Sequence, residues 1–498
     1  MGIVRRQSII NLGVNGFGAA LGLFNKIFLM VWWLDFSQIG LIELLISYMV
    51  LGAQFSQIGA PRIVIRFLPY FDLDDDRRRA FYNFVFLIFV VGIGLAFLLF
   101  NLIMPWVVEK GMSKSPLFSE HYLYIFPLLV AFAGYNCLSA FYNVKLNSVL
   151  PVFLHQVVWR LSITVLLVLH YLEVLTFDQF LIGFVASHFI MPVVLLWKLE
   201  GRVKGIWDGK FPVLKGRIRK ILLNFGSYSA LSGISHLLLT KMDIIMVGWL
   251  LGESEAAPYG IGFALAIYVG LIGKSSLGIS LGLVSTHMKN KAYDKVDQLY
   301  KKHSLNNLLG SFLLLILLWA GIESLVEYEP DKYGPAKWVG IWLGVSALIN
   351  TSVYLCRPIL SNSTQFRLDL ILGFLMIFVG IFFNLWLIPI YGVTGAAIAT
   401  CCVFIIVNIV GMIILWAKFK IQPFTVATLK TVILGLAVLG LSLIVPRLEQ
   451  PFVDLIVRSF CVLVVYGGLV YALGISPDLN QLIKSQYQKV SRTLLSKK

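Results

Sequence analysis

The sequence predicts an all-α polytopic membrane protein with about fourteen transmembrane helices. They are expected as two pseudo-symmetric six-helix lobes followed by two C-terminal helices. Three observations predict this. Apolar runs of about 20 residues, enough for a helix to cross a bilayer, follow one another almost end to end. Of the 498 residues 58% are hydrophobic and 13% charged, whereas soluble chains run nearer a quarter charged. Basic residues also gather in alternate connecting segments, as they do in chains threaded through a membrane.

The first run, near 8–34, follows Arg5 and Arg6. It is too long for the core of a signal peptide and no small-residue cleavage site follows, so it is expected to be a retained span. Further spans are expected near 39–60, 80–104, 121–143, 151–171 and 178–198, which complete the N-terminal lobe (1–198). A basic linker, 199–220, is expected to lie on the membrane surface. The C-terminal lobe (221–416) takes spans near 221–250, 259–284, 304–327, 336–357, 368–390 and 393–416. Two more, near 425–446 and 451–474, belong to a last segment (417–498) that ends in a basic tail.

With the N-terminus inside, the inner segments hold about 30 of the 41 Lys and Arg residues. The outer ones hold Lys110, Lys114, Lys332, Lys337 and Arg447. Both termini are therefore expected in the cytoplasm, at the cell inner membrane. The net charge of +16 reads as topology and attraction to anionic membrane lipids rather than as nucleic-acid binding. Connecting segments are short, 61–79 and 285–303 among them, which leaves no room for a soluble catalytic domain and argues against an enzyme.

Two matches at nearly one offset support the lobes. "KIFLMVWWLDFSQIG" from Lys26 resembles "DIIMVGWLLGESEAAPYG" from Asp243, and Asn147-Ser148 matches Asn362-Ser363; the offsets are 217 and 215 residues. An even number of spans per unit gives both lobes one orientation, with a site expected between them near the bilayer middle.

Charges within spans carry the chemistry, because an ionisable group at mid-bilayer costs roughly 3 kcal/mol and usually faces a bundle interior or a wet cavity. Arg160, in "LHQVVWRLSITVLLVLHYL", and Lys274, in "YVGLIGKSSLGISLG", lie centrally in their spans. Lys26 and Lys241 rank next as substrate-binding residues, and Asp243 and Glu43 as charge-tuning or cation-coupling residues. Lys241 and Asp243 project about 200° apart on a helix, so they cannot neutralise each other. Depth counting puts Lys241 near the outer interface. Lys430 and Arg458 lie close to span ends and are expected to snorkel. A cavity with more basic than acidic groups suits an anion, and Arg suits bidentate phosphate contact.

Other signals are bland. "FDLDDDRRRAF" (71–81) needs only helix-dipole and headgroup logic, not a metal. The seven histidines show no metalloprotease spacing. The cysteines, Cys137, Cys356, Cys401, Cys402 and Cys461, read as small buried hydrophobes. No cofactor is expected.

The pieces "LLISYMVLGAQFSQIGAPRIVIRFLPYF" (44–71), "TKMDIIMVGWLLGESEAAPYGIGFALA" (240–266) and "NLWLIPIYGVTGAAIATCCVFIIVNI" (384–409) occur in this order. They resemble oligosaccharide flippases of the MOP exporter superfamily, the exporters of O-antigen and other polysaccharide repeat units. Where those proteins commonly carry Arg after the acidic residue, this chain has Ile244. The resemblance implies a polyprenyl-diphosphate-linked oligosaccharide as the substrate; the expected mechanism is alternating access, with H+ or Na+ as a candidate coupling cation. A cation-coupled multidrug-type exporter and a membrane-embedded glycan polymerase or ligase are the alternatives. The first predicts a more acidic cavity and the second a large basic outer loop.

Overall fold

The computed structural model describes residues 2–71, 75–111, 114–144, 147–200, 214–444 and 448–476. Part of the Asp-rich run (72–74), most of the 199–220 linker and the tail beyond 476 lie outside the described residues. Among the described residues the chain is helical throughout and contains no strand. It divides into two compact units, Met1–Gly260 and Ile261–Lys498.

In the first unit α1 (Gly2–Leu23) passes through a π-helical turn (Phe24–Leu29) into α2 (Met30–Trp33). Then come α3 (Phe36–Ser56), α4 (Ala60–Phe71), α5 (Asp75–Gly111), α6 (Pro116–His121) and α7 (Ile125–Val144). The fifth span is α8 (Val149–Phe153), a second π-helical turn (Leu154–Val158) and α9 (Trp159–Tyr171). The unit closes with α10 (Phe177–Glu200), α11 (Gly216–Leu250) and the first half of α12 (Glu253–Ala266).

The second unit holds α13 (Leu271–Lys289), α14 (Tyr293–Tyr328), α15 (Pro330–Ser352), α16 (Cys356–Ser361), α17 (Phe366–Phe419), α18 (Val426–Ile444) and α19 (Pro451–Ala472). Its core forms where Phe312, Leu315 and Ile316 of α14 meet Leu434 and Val438 of α18 and Val462 and Tyr466 of α19. Gly435 makes this approach possible, since a side chain there would overlap the Phe312 ring.

Ten described helical stretches are long and apolar enough to cross a membrane. One of them, α17, is two spans joined at Gly392, whose φ of 60° and ψ of −141° break the helix. Only glycine adopts that conformation readily. The helices α13 and α15 are less apolar, because Ser, Gly, Asn or charged residues interrupt them. Outward faces are apolar: Phe86, Leu87, Val90 and Val91 of α5 stand exposed, as do Ile456, Phe460 and Val464 of α19. Lipid is the solvent such faces require. The chain is a multi-pass, all-α membrane protein.

Three expectations are corrected. The segment expected as a loop at 61–79 contains α4, whose Ala60, Ile63, Val64, Leu68 and Phe71 recur at helical spacing and are buried. Cys461 is exposed and Cys402 only half-buried. Cys461 sits on the outward face of α19, where an apolar side chain has no water to avoid. Arg458 does not snorkel. It is 8% exposed and held by Asp454, with Nε and Nη2 donating at 3.1 and 3.0 Å. Its Nη1 donates to the Ser442 carbonyl at 3.0 Å, so α18 and α19 are tied by a buried charge.

A candidate ionic site in the first unit

The site is built on two widened helical turns. A π-helical turn inserts a residue into the helical repeat and re-aims the side chains around it, and such turns recur at functional sites. The first contains Asn25 and Lys26; the second contains His155 and leads directly into Trp159 and Arg160. Asn25, 4% exposed, joins the two spans. Its Nδ2 donates to the Arg160 carbonyl and its Oδ1 accepts from Thr164 Oγ1, each at 2.9 Å. The Arg160 guanidinium donates to the Gly18 carbonyl. Gly22 leaves the space it occupies, since a side chain there would collide with the guanidinium.

A run of small residues brings α3 and α11 together. A Cβ on Gly248 would overlap Leu44, one on Gly233 would overlap Gln54, and one on Gly40 would overlap the Glu253 carbonyl. Such close backbone approach is how membrane helices gain van der Waals contact where no hydrophobic effect drives them together. At this seam Lys26 Nζ lies 2.6 Å from Glu43 Oε1, with the carboxylate side chain only 7% exposed. Lys241 lies within electrostatic reach of both Glu43 and Lys26. Gly260 abuts the same carboxylate; a Cβ there would fall 2.7 Å from Glu43 Cγ. Lys26, Glu43 and Lys241 each stand about 10–14 Å from the nearer end of their spans at 1.5 Å per residue, so they share one depth.

Asp243 turns another way. It is 4% exposed and its Oδ2 accepts from the Tyr259 hydroxyl at 2.9 Å. The predicted divergence of Lys241 and Asp243 thus appears as two different sets of neighbours. Nearby, Glu253 accepts from the backbone N–H groups of Leu117 and Phe118 at 3.0 and 2.5 Å, fixing the start of α6. Burial pushes its carboxyl above the usual carboxylate range, against the pull of those two amides.

Of the residues singled out from sequence, the structure gathers Lys26, Glu43 and Lys241; Asn25, next to Lys26, bonds the Arg160 backbone, while the Arg160 guanidinium turns to Gly18 and Gly22. Lys274 lies in α13 of the second unit, with its side chain outside the described residues. Sequence reasoning missed Asn25, Thr164 and Tyr259, which are neutral, and Asp454, which stands at a span edge. The signal for Asn25 was its place next to Lys26 in an otherwise apolar stretch. Among the described residues no cluster of His, Cys, Asp and Glu could hold a metal ion.

No protein family's sequence profile matches this chain, and no curated protein matches it in sequence. Solved structures do match its fold. The lipid II flippase MurJ, in an inward closed conformation, superposes with a TM-score of 0.68 over 94% of this chain and all of its own, at 15% identity. An inward-facing multidrug resistance MATE family transporter of the MOP superfamily gives a TM-score of 0.63 over 83% of this chain and 98% of its own, at 12% identity. The fold is that of the MOP transporters. A further MATE multidrug transporter, solved with R6G, matches at a TM-score of 0.51 over 84% of the chain. At these identities the likeness to MOP transporters is one of architecture, and the ionic site has to be read from this chain's own residues.

Proposed function

We propose that the protein is a flippase that moves polyprenyl-diphosphate-linked oligosaccharide units across the bacterial inner membrane by alternating access, for surface polysaccharide assembly. Its two six-helix lobes would rock about a central headgroup site, both termini staying in the cytoplasm. Arg160, Lys274, Lys26 and Lys241 would meet the diphosphate and its sugars. Glu43 and Asp243 would tune those charges or take up a coupling H+ or Na+.

The observation that carries this reading is the half-buried ionic cluster of the first unit. Lys26 and Lys241 set two cations against the one buried Glu43 carboxylate within membrane helices, and Arg160 adds a third cation on a neighbouring span. Retaining them is costly, and an anionic headgroup is a ligand that would offset the cost. The fold match to a lipid flippase over nearly the whole chain supports the same direction.

The test is to change Arg160→Gln and Lys274→Gln singly and measure surface glycan at equal protein level. Loss of glycan, with lipid-linked units accumulating on the inner leaflet, is expected. Unchanged output from both variants would remove the cationic-site proposal. A second reading, a cation-coupled exporter of amphipathic compounds, draws on the MATE likeness and on the buried Asp243–Tyr259 pair. It predicts that cells lacking the protein become drug-sensitive while their surface glycan stays intact.

A further inference from the structure

A groove in the first unit, away from the ionic site, has the form of a lipid site. It has a volume of about 370 Å3 and lies between α5 and α10, with α7 as its floor. Ala131, Gly134 and Cys137 line the floor, and Phe86 and Phe189 stand on opposite walls. The groove follows α7 from Val130 to Phe141 and α10 from Phe189 to Leu199, about 15 Å at 1.5 Å per residue. That is half of a hydrocarbon core about 30 Å thick. It therefore spans one leaflet, ending where α7 and α10 end.

At that end the chemistry changes. Arg79 precedes Asn83 by one helical turn on α5, and Lys198 adjoins Leu199 on α10. A second, more polar pocket follows, lined by Tyr142, Asn147, Leu150 and Lys198. Asn83 lines the apolar groove, yet its Nδ2 is buried without a hydrogen-bond partner. A buried donor left so is destabilising, and an ester or phosphate oxygen at the groove mouth would satisfy it. No carboxylate pairs with Lys198 among the described residues.

We propose that this groove binds one acyl chain of an anionic glycerophospholipid from the leaflet on the basic side of the protein. Arg79 and Lys198 face its phosphate, and Asn83 donates to its ester oxygen. Charge complementarity selects the headgroup, and the one-leaflet length selects a chain that ends at the bilayer middle. The site is independent of the transported substrate.

The full-length protein in vesicles would be irradiated with phosphatidylglycerol carrying a diazirine on one acyl chain, and labelled peptides quantified by mass spectrometry. Labelling of 80–90 and 130–141 should exceed that of the equally lipid-facing 456–465. At about 1 kcal/mol for each of Arg79 and Lys198 near an anionic surface, a phosphatidylcholine analogue should label the groove about thirtyfold less. Gly134→Leu fills the floor: a Cβ there sits 3.6 Å from Pro192 Cβ, ordinary contact that leaves the helix intact. It should abolish the excess. Arg79→Gln with Lys198→Gln should abolish the headgroup preference alone, and carries the test if Gly134→Leu folds poorly. Labelling that merely follows lipid exposure, with no headgroup preference, would overturn the proposal as ordinary boundary lipid. Unlabelled groove peptides would overturn it too, meaning that protein fills the groove.

Discussion

Lys26 Nζ and Glu43 Oε1 lie 2.6 Å apart, on two successive spans that reach the same depth from opposite chain directions. The carboxylate is packed under Gly260 and serves Lys241 as well. One acidic group thus holds two cations at a seam between helices, and its loss would be felt by both.

Glu43→Gln leaves two ammonium groups in a low-dielectric site without their carboxylate. A loss of about 3 kcal/mol is expected, in line with other broken buried pairs. Thermal unfolding in detergent checks this. The double change Glu43→Leu with Lys26→Met should recover the part of the stability lost at Lys26, though not the part lost at Lys241, while transport stays lost. Recovery of surface glycan in the double variant would show that the pair is structural only.

Tyr259→Phe removes a hydrogen bond to the buried Asp243 carboxylate and changes little else. Bonds to charged groups are worth about 1.5–3 kcal/mol, so unfolding should shift by that amount. Asp243→Asn should cost less stability, because an amide can still accept from the hydroxyl.

Gly392→Ala isolates backbone strain, because nothing lies within 4 Å of where a Cβ would stand. The φ of 60° and ψ of −141° make the expected cost about 1–3 kcal/mol. Gly468→Ala, also in open space but within α19, serves as the control and should be neutral or slightly stabilising.

Asp454→Asn should be among the most damaging changes in the second unit. The carboxylate is 3% exposed and accepts from Arg458, Ser324 Oγ at 3.0 Å and the Leu448 amide at 3.1 Å. Stranding the guanidinium should cost about 3–5 kcal/mol. Replacing both members, Asp454→Leu with Arg458→Met, should restore most of it by the same unfolding assay.

Glu253 makes a pH-dependent contribution of known sign. Its folded carboxyl is shifted upward by burial, so the folded state binds the proton more tightly than the unfolded one. The associated stability is complete below the unfolded value of about 4.3 and is lost as pH rises through the folded value. The stability of the native protein relative to Glu253→Gln should therefore rise as the pH is lowered from neutral. A gap that widened with rising pH would contradict the burial effect.

The helical class and the apolar spans were legible in the residues alone. Lipid imposes those features residue by residue: every backbone polar group must be satisfied within a helix about 20 apolar residues long. The sequence also marked Lys26, Glu43, Arg160, Lys241 and Asp243, because a charge in such a run is conspicuous without any knowledge of its neighbours. Which residues meet was settled by packing. Lys241, counted by depth, belonged to an interface; packed on α3 through Gly248 and Gly233, it joins Glu43. Arg458, near a span end, was expected to reach for water, and Asp454 one turn away holds it inside. Helix α4 went unseen because its apolar stripe is broken by Arg62, Arg66 and Pro69, and its buried face shows only against α5 and α7. Pairing depends on which helix faces approach, and that is set by where glycines permit contact between distant spans.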